Sequence, residues 1–342
     1  MADVRVIGLD IAKSVFQLHG IDDAGSTVLQ KRLTRARLLP FFEKLPPCLV
    51  GIEACATSHF WARELTKLGH EIKLIPAQYV KPYVKRQKND MADAAAIAEA
   101  VTRPSMRFVE PKSPSEQSAM MLHKIRLMLT RQVVMISNAT RAHMAEFGVI
   151  APVGRSGIDR LLAVIDDETD ERIPVEARQC LQMLVAQLRL VKSQILDNDR
   201  RVLALARSTE LGQRLMEVPG IGPLVASALV ACVPDPSMFR CGRNMAAWLG
   251  LVPKQNSSGG KERLGSITKA GNRYLRQMLF AGAMAVIRRA MQGTRRTWLI
   301  RLLERRKPKI AAMALANKNA RIAWAMMMSG EGYREPIAIA AA

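Results

Sequence analysis

The first hundred residues alternate short apolar runs with helical stretches, and this order limits the fold more than any other feature of the chain. Three runs come first, namely "VRVIGLD" (4–10), "SVFQLHG" (14–20) and "STVLQKRL" (26–33). They are followed by a helical stretch near 35–44, the run "CLVGIE" (48–53), a helix near 57–68 and the run "EIKLIP" (71–76). Strands interleaved with helices in this way are typical of a mixed sheet, so we predict an α/β fold here.

The rest of the chain shows mainly helical patterns. "PKSPSEQ" (111–117) is a boundary, because its Ser-Pro-Ser-Glu has the spacing of a capping box with Pro at the first helical position. We expect long helices over about 114–147 and 174–207, and basic helices rich in Ala and Met over about 268–330. We therefore divide the chain into three parts, 1–110, 111–208 and 209–342.

The second long helix has an apolar seam with steps of three and four residues. Its members are Leu181, Leu184, Leu188, Val191, Ile195, Asn198, Val202 and Leu205. Such a heptad seam with one polar position fits a helix packed within its own domain, and it equally fits a coiled coil between two chains in which Asn198 sets the register. The sequence leaves both interpretations open.

The charge of the chain indicates a polyanionic partner. The net charge is +21 over 342 residues, and the stretch 250–342 holds 18 Lys and Arg against 4 Asp and Glu, a net of +14. Nucleic acid is the partner that such a balance favours. No run of 18 or more apolar residues and no signal peptide is present, so we expect a cytoplasmic protein without a membrane partner. The five cysteines are scattered without a Cys-x-x-Cys pair, which argues against a zinc ribbon.

A glycine-rich turn lies between two helical patterns in "VPGIGPLVASALVA" (218–231). The segment resembles a helix-hairpin-helix turn, in which Gly220 and Gly222 would let backbone N–H groups approach a nucleic-acid phosphate. A plain glycine-rich turn explains the same residues, and the basic charge of the chain favours the nucleic-acid interpretation.

Four carboxylates fall at positions where this fold places ligands. Asp10 ends the first apolar run and Glu53 ends a later one, while Asp90 and Asp93 lie three residues apart at the start of a helix. If the two strands are neighbours and the helix crosses their ends, the four acids converge. Clustered carboxylates repel one another, and a divalent cation such as Mg²⁺ would relieve that repulsion.

Each acid also has a structural explanation. Asp90 and Asp93 are favourable as a helix N-cap and as a charge in the first turn, and Glu53 fits an ordinary strand end. Asp10 is harder to explain, because a carboxylate directly after a buried strand is costly unless it is solvated or paired. Beside these acids, "KPYVKRQK" (81–88) offers basic residues for a phosphate backbone, among them Lys85, Arg86 and Lys88.

A phosphate loop of the actin-like ATPases and sugar kinases is a competing explanation for "IGLDIAKS". That loop needs glycine two residues after the Asp, and this chain has Ala12 there. No Walker-type glycine-rich loop is present either, which excludes the P-loop enzymes.

Together these motifs resemble one family, the DEDD transposases of bacterial insertion sequences of the insertion-sequence-110 type. The resemblance is carried by "GLDIAKSVFQLHGID", by "GIEACATSHFWARELTKLGHEIKLIPAQYVKPYVKRQKNDMADA", by "VPGIGPLVASAL" and by "WLGLVPKQNSSGGKERLGSITKAGNRYLR". It implies a RuvC-like, ribonuclease-H-type domain over 1–110, a coiled-coil region over 111–208 and a mainly helical transposase domain over 209–342. The DEDD acids fall on Asp10, Glu53, Asp90 and Asp93, with Mg²⁺ as the cofactor.

The family resemblance also implies a nucleophilic serine after the "GL-x-P" segment, here 250–253. In this chain the serine followed by glycine is Ser258, and the preceding Ser257 is the weaker match. The implied reaction joins serine covalently to a DNA phosphodiester and keeps the bond energy for rejoining. Basic residues around the loop would neutralise the phosphate, namely Lys261, Arg263, Lys269 and Arg273.

The resemblance further implies donor and target DNA, a guide (bridge) RNA, and a homo-oligomer, either dimer or tetramer, located at the nucleoid when bound to DNA. Two other functions remain open from the residues alone. One is a RuvC-like junction nuclease that cuts with metal-activated water, and the other is a nucleic-acid-binding scaffold without enzymatic activity.

Overall fold

The computed structural model describes residues 3–84, 89–290 and 297–335. The chain divides into two compact units, Met1–Ser115 and Glu116–Ala342. Our division into three parts, with a further boundary near residue 208, stays a prediction.

The first unit is built on a five-stranded sheet with the strand order β3-β2-β1-β4-β5. The strands are β1 (Val6–Ile11), β2 (Val15–Ile21), β3 (Thr27–Thr34), β4 (Leu49–Glu53) and β5 (Glu71–Ile75). The first three form an antiparallel meander, and β4 and β5 run parallel to β1. The helices are α1 (Leu38–Phe42), α2 (Ser58–Lys67), α3 (Ala77–Val80) and α4 (Asp90–Val101), with short 3₁₀ helices at Arg35–Arg37 and Lys81–Tyr83. The predicted α/β fold is confirmed for this unit.

Strand alternation gives the sheet two different faces. On one face Phe16 packs edge-to-face on Trp61 of α2, with ring centroids 5.1 Å apart, inside an aliphatic core. On the other face the central strands carry glycine. A Cβ at Gly8 would lie 2.0 Å from the carbonyl oxygen of Ala94, and one at Gly51 would lie 2.8 Å from the Cβ of Val101. Helix α4 therefore lies directly against the backbone of β1 and β4.

The close approach of α4 predicts that Gly8→Ala strongly destabilises the first unit. The methyl group would overlap helix backbone, which cannot rotate away as a side chain can, so α4 must move off the sheet. We expect a loss of about 3 kcal/mol in the free energy of unfolding, measured by urea titration. Gly265→Ala is the control, since its nearest neighbour would lie 3.7 Å away in ordinary contact, and we expect a change within about 0.5 kcal/mol. Equal effects of the two substitutions would contradict this packing.

The second unit is mostly helical. Its helices are α5 (Pro114–Glu146), α6 (Arg155–Asp166), α7 (Val175–Arg207), α8 (Glu210–Met216), α9 (Pro223–Cys232), α10 (Gly242–Trp248), α11 (Arg273–Ala290), α12 (Thr297–Arg305) and α13 (Pro308–Ser329), with a 3₁₀ helix at Pro236–Met238. A two-stranded antiparallel hairpin, β6 (Pro253–Gln255) and β7 (Leu264–Ile267), interrupts them. The two long predicted helices are present as α5 and α7. Helix α6 and the hairpin were not predicted from the sequence.

The apolar seam of α7 is covered within the same chain. Leu181, Leu188 and Val191 are buried in a cluster with side chains of α5 and α6. Helix α5 is also tied to α7 by Arg126, whose Nε donates to Asp199 at 2.6 Å. Asn198 is buried, and its side-chain oxygen has no hydrogen-bond partner. The seam therefore packs intramolecularly, and the structure does not confirm a coiled coil between chains.

The predicted helix-hairpin-helix segment consists of α8, a turn and α9. Gly220 has φ +95° and lies against α11 and α13, because a Cβ there would come within 2.9 Å of the Asn319 side chain. The Asn319 amide in turn donates to the carbonyl of Pro219 at 3.0 Å. Gly220 thus serves internal packing, whereas Gly222 is exposed with open space around its Cα. A phosphate contact at either glycine stays a prediction.

A buried histidine joins three helices of this unit. His123 of α5 is fully buried, with Nδ1 2.9 Å from the Tyr274 hydroxyl and Nε2 3.1 Å from the Ser227 hydroxyl. Ser227 donates its own proton to the carbonyl of Pro223. The Nε2–H of His123 therefore donates to Ser227, and Nδ1 accepts from Tyr274. Burial, and next the nearby Arg126, lower the pKa of His123 to about 4.

This histidine predicts acid sensitivity. Between pH 6.5 and 4 the unfolded chain takes up a proton that the folded chain refuses, so the free energy of unfolding falls as pH falls. The total loss is about 3 kcal/mol, complete below about pH 4. Urea titrations between about pH 7 and pH 4 should show a shallower pH dependence for His123→Gln than for the wild type. His143→Gln, on an exposed position of the same helix, is the matched control, and identical slopes for His123→Gln and wild type would refute the assignment.

The structure bears on the predicted absence of a membrane partner and on the scattered cysteines. No helix among the described residues is long and apolar enough to cross a membrane. All five cysteines are free thiols.

Candidate metal centre and serine hairpin

The sheet and α4 bring the four predicted acids to one edge of the first unit. β1 and β4 are parallel neighbours with Leu9 opposite Ile52, so Asp10 and Glu53 follow at the same level. Both are two residues beyond the glycines that contact α4, and they therefore lie on the α4 face. Since Gly8 lies under Ala94, the strand ends lie toward the start of the helix, where Asp90 and Asp93 are.

The local sequence explains why the helix begins at this place. The side chain of Asn89 accepts a hydrogen bond from the backbone N–H of Ala92 at 2.7 Å, which makes Asn89 the N-cap. The suggestion that Asp90 is itself the N-cap is wrong, because Asp90 occupies the first helical position. Asp90 is exposed, and the capping hydrogen bond is made by Asn89 in its place.

The acids act on one another electrostatically. The pKa of Asp10 is raised to about 6, first by burial and then by the charges of Asp93, Asp90 and Glu53, in that order. A hydrogen bond from the backbone N–H of Ile11 opposes this increase. The pKa of Asp10 therefore responds to burial first and to the charges of the other three acids second.

The acids fit a divalent cation in chemical type. Carboxylate oxygens are the hard ligands that such ions prefer, and a cation would relieve the repulsion felt by Asp10. Among the described residues, however, no three His, Cys, Asp or Glu side chains are close enough together to form a ligand set. The acids share an edge but are not drawn into a common coordination sphere.

The basic segment next to α4 cannot be placed. Lys85, Arg86 and Lys88 lie outside the described residues.

The predicted nucleophile lies in the second unit, on the hairpin of β6 and β7. The backbone N–H of Asn256 donates to the carbonyl of Arg263 at 2.9 Å, and the backbone N–H of Lys261 donates to the carbonyl of Ser258 at 3.1 Å. Between Ser258 and Lys261, Gly259 and Gly260 have φ of 55° and 75°. Two central residues with positive φ are the mark of a type I′ hairpin turn, so both glycines are required by the turn itself.

The two serines of this hairpin have different surroundings. The Ser257 hydroxyl oxygen accepts a hydrogen bond from the backbone N–H of Arg263 at 3.2 Å, which ties it to the opposite strand. Ser258 is exposed next to the turn, and its hydroxyl makes no hydrogen bond with the part of the chain that the structure describes.

The basic residues predicted around the serine are all exposed, namely Lys261, Arg263, Lys269 and Arg273. Lys269 is the one described residue other than glycine with positive φ, at 58°. The backbone N–H of Lys269 donates to the carbonyl of Gly250 at 3.2 Å. The backbone N–H of Thr268 donates to the carbonyl of Val252 at 2.8 Å. Such a conformation is retained only where the surroundings enforce it, and here it presents a cation to solvent.

Comparison with known proteins agrees with this arrangement. A family model for the DEDD domain of IS110 transposases, described as "Transposase", matches residues 7–148, which include all four acids. A second model, described as "Transposase IS116/IS110/IS902 family", matches residues 212–298, which include the serine hairpin.

Several relatives match nearly the whole chain. A Sinorhizobium fredii protein named as a transposase, y4pF/y4sB, is 46% identical over 96% of this chain and 85% of its own length. The transposase for insertion sequence element IS1328 of Yersinia enterocolitica is 38% identical over 96% of this chain and 98% of the relative. The transposase for insertion sequence element IS1111A of Coxiella burnetii is 38% identical, over 98% and 92%.

The chain has the α/β unit with four acids, followed in sequence by a helical unit, of a DEDD transposase. Transposases are DNA-processing enzymes. The chain belongs to the IS110/IS116/IS902 family of transposases. Its substrate is therefore DNA, and its DEDD domain implies a divalent metal ion.

Proposed function

We propose that this transposase cuts and rejoins DNA through a covalent phosphoserine intermediate, with Mg²⁺ held by Asp10, Glu53, Asp90 and Asp93. The observation that supports the proposal is the parallel pairing of β1 and β4 with Leu9 opposite Ile52, because Asp10 and Glu53 follow these two residues at the same level. When bound there, Mg²⁺ would polarise a phosphate and stabilise the leaving oxygen.

The protein's own residues divide the work between the two units. The acids would hold the metal, and Ser258 would supply the nucleophile, whose proton is balanced by the one that the leaving oxygen takes up. The serine oxygen forms a bond to phosphorus, the bond to the leaving sugar oxygen breaks, and that oxygen departs as a hydroxyl. The reverse attack by a sugar hydroxyl restores the strand, and because a phosphodiester replaces a phosphodiester, no ATP is needed.

The hairpin supports Ser258 as the nucleophile. Ser257 is engaged with the opposite strand, whereas the Ser258 hydroxyl is exposed beside the tight turn. Lys261, Arg263, Lys269 and Arg273 would neutralise the phosphate around it. We propose Lys85, Arg86, Lys88, Gly220 and Gly222 as further nucleic-acid contacts.

The remaining partners follow from the family resemblance and the surface. We propose a guide RNA that selects the DNA by base pairing, and a homo-oligomer that acts on two DNAs in the cytoplasm, at the nucleoid. Exposed apolar side chains at heptad spacing along α5 support self-association, namely Met121, Ile125, Met128 and Met135.

The test is incubation of the protein with target DNA, its RNA and Mg²⁺, followed by denaturing electrophoresis. We expect a protein–DNA adduct that needs the metal. Cut strands with free phosphate ends and no adduct would instead favour a RuvC-like nuclease that uses activated water. If the protein binds the DNA but shows no metal-dependent cleavage, the result would favour a nucleic-acid-binding scaffold without enzymatic activity.

A further inference from the structure

A cavity of about 430 Å³ lies in the first unit, between α4 and the β2–β3 hairpin. It is lined by His19, Thr27, Tyr83, Glu99, Thr102 and Arg103, and by four alanines of α4. Cavities that hold small organic groups combine apolar walls with a few polar atoms in this way, and this volume is in their usual range.

His19 lines the cavity with a polar atom that lacks a partner. The residue is only 9% exposed, and its Nδ1 makes no hydrogen bond. Its Nε2 lies 3.3 Å from the hydroxyl of Thr27, which holds the ring in place. Buried polar atoms are nearly always paired, so an unpaired nitrogen beside an open cavity indicates that a bound group supplies the partner.

The other polar groups lie at the mouth of the cavity. Glu99 and Arg103 form an i,i+4 ion pair with side chains 41% and 47% exposed. The pair presents acceptor and donor groups side by side. The four alanines of α4 that line the cavity form its apolar floor. A planar ring system with donors and acceptors on its edges matches these features, whereas a phosphate or a metal ion would not use the apolar floor.

The cavity is also close to the acids along the same helix. Glu99 follows Asp93 by six residues, which is about 9 Å at roughly 1.5 Å per residue. That distance is about three nucleotide steps at roughly 3.4 Å each. A base held in the cavity would therefore belong to the strand whose phosphate reaches the acids.

We propose that this cavity receives one unpaired base of the nucleic acid on which the acidic site acts. The inference rests on the proposed function, since it assigns the strand at that site. The base leaves its stack, its ring lies on the alanine floor, and its edge bonds to His19, Glu99 and Arg103. This contact fixes the register of the strand relative to the acids.

The test uses the full chain without metal, so that it does not depend on cleavage. The probes are a DNA duplex with one bulged 2-aminopurine, the same bulge in an RNA duplex, and the fully paired versions of both. We expect a change in 2-aminopurine fluorescence and tighter binding of a bulged duplex than of its paired version. Preference for the DNA or the RNA bulge identifies the strand that supplies the base.

Two variants test whether the base binds in the cavity. Ala95→Leu fills the floor, and Arg103→Gln removes the donor at the mouth. Each should lower the preference for the bulge about tenfold, as expected when a held base loses one stacking or polar contact. Ala142→Leu, on an exposed position of α5, is the matched control. If Ala95→Leu lowers the melting temperature, Arg103→Gln decides alone, because its side chain is half exposed.

The outcomes separate this inference from the proposed function. Unchanged bulge preference in both variants, or no preference in the wild type, would overturn the cavity assignment even if cleavage is observed. Conversely, bulge preference that both variants abolish would uphold the assignment, even if no covalent adduct forms and the proposed reaction fails.

Discussion

Ser258→Ala should abolish the covalent protein–DNA adduct, with a fall of at least about 10³-fold in its yield, because the variant retains no oxygen at this position to attack phosphorus. Noncovalent DNA binding should remain, since the basic residues of the hairpin are unchanged. The exposed position of Ser258 predicts no loss of stability. Labelled DNA that migrates with the protein in denaturing gels measures the adduct, and a gel-shift assay measures binding.

Ser257→Ala is the matched control, because it removes a hydroxyl from the neighbouring residue of the same hairpin. It loses the hydrogen bond from Arg263, which costs about 1 kcal/mol locally, and it should keep the adduct. The reverse pattern, in which Ser257→Ala loses the adduct and Ser258→Ala keeps it, would move the nucleophile to Ser257.

The strands of the first unit could be predicted because one-sided burial leaves a clear pattern. β1 and β4 are short apolar runs and β2 begins with alternating apolar and polar residues, and the predicted boundaries lie within two residues of the observed ones. Helix α6 also had a signal, since Ile158, Leu161, Leu162 and Ile165 follow helical spacing and are buried. The strands β6 and β7 had no burial pattern, because their residues are almost all exposed.

The partner of an apolar seam cannot be predicted from its spacing. The α7 seam is buried as its periodicity indicated, but the covering side chains come from α5 and α6 of the same chain. Heptad spacing states only that a face is buried. It does not state which helix covers that face.

The acidic site was accessible to sequence reasoning because its position depends on topology. Strand ends and the start of a helix carry the acids, and parallel pairing of β1 and β4 is enough to bring Asp10 and Glu53 together. The distances between the oxygens depend on side-chain conformations and on the cation, which no sequence pattern encodes. The glycines of the serine loop could have been interpreted as a hairpin turn, since two adjacent glycines are a known signal for one.

Asp10→Asn should lower metal-dependent strand cleavage by roughly 10³-fold or more, which corresponds to about 4 kcal/mol of transition-state stabilisation. The charges of the other three acids raise the pKa of Asp10, so in the proposed metal site an amide at this position would remove one of the negatively charged ligands. Cleavage as a function of Mg²⁺ concentration is the measurement. Excess metal should not restore the rate if Asp10 orients the ion for the reaction.

A second measurement separates catalysis from folding. Because the amide introduced by Asp10→Asn carries no charge among the three remaining acids, the metal-free variant should melt no lower than the wild type. Asp23→Asn is the matched control, since this carboxylate is exposed and pairs with Arg5 at the surface, where such a pair is worth at most about 1 kcal/mol. It should keep full cleavage. If Asp10→Asn cleaves as Asp23→Asn does, the metal does not act at this edge of the sheet. If Asp10→Asn instead melts well below the wild type, the Asp10 carboxylate stabilises the fold, and the repulsion that we assign to the four acids is absent.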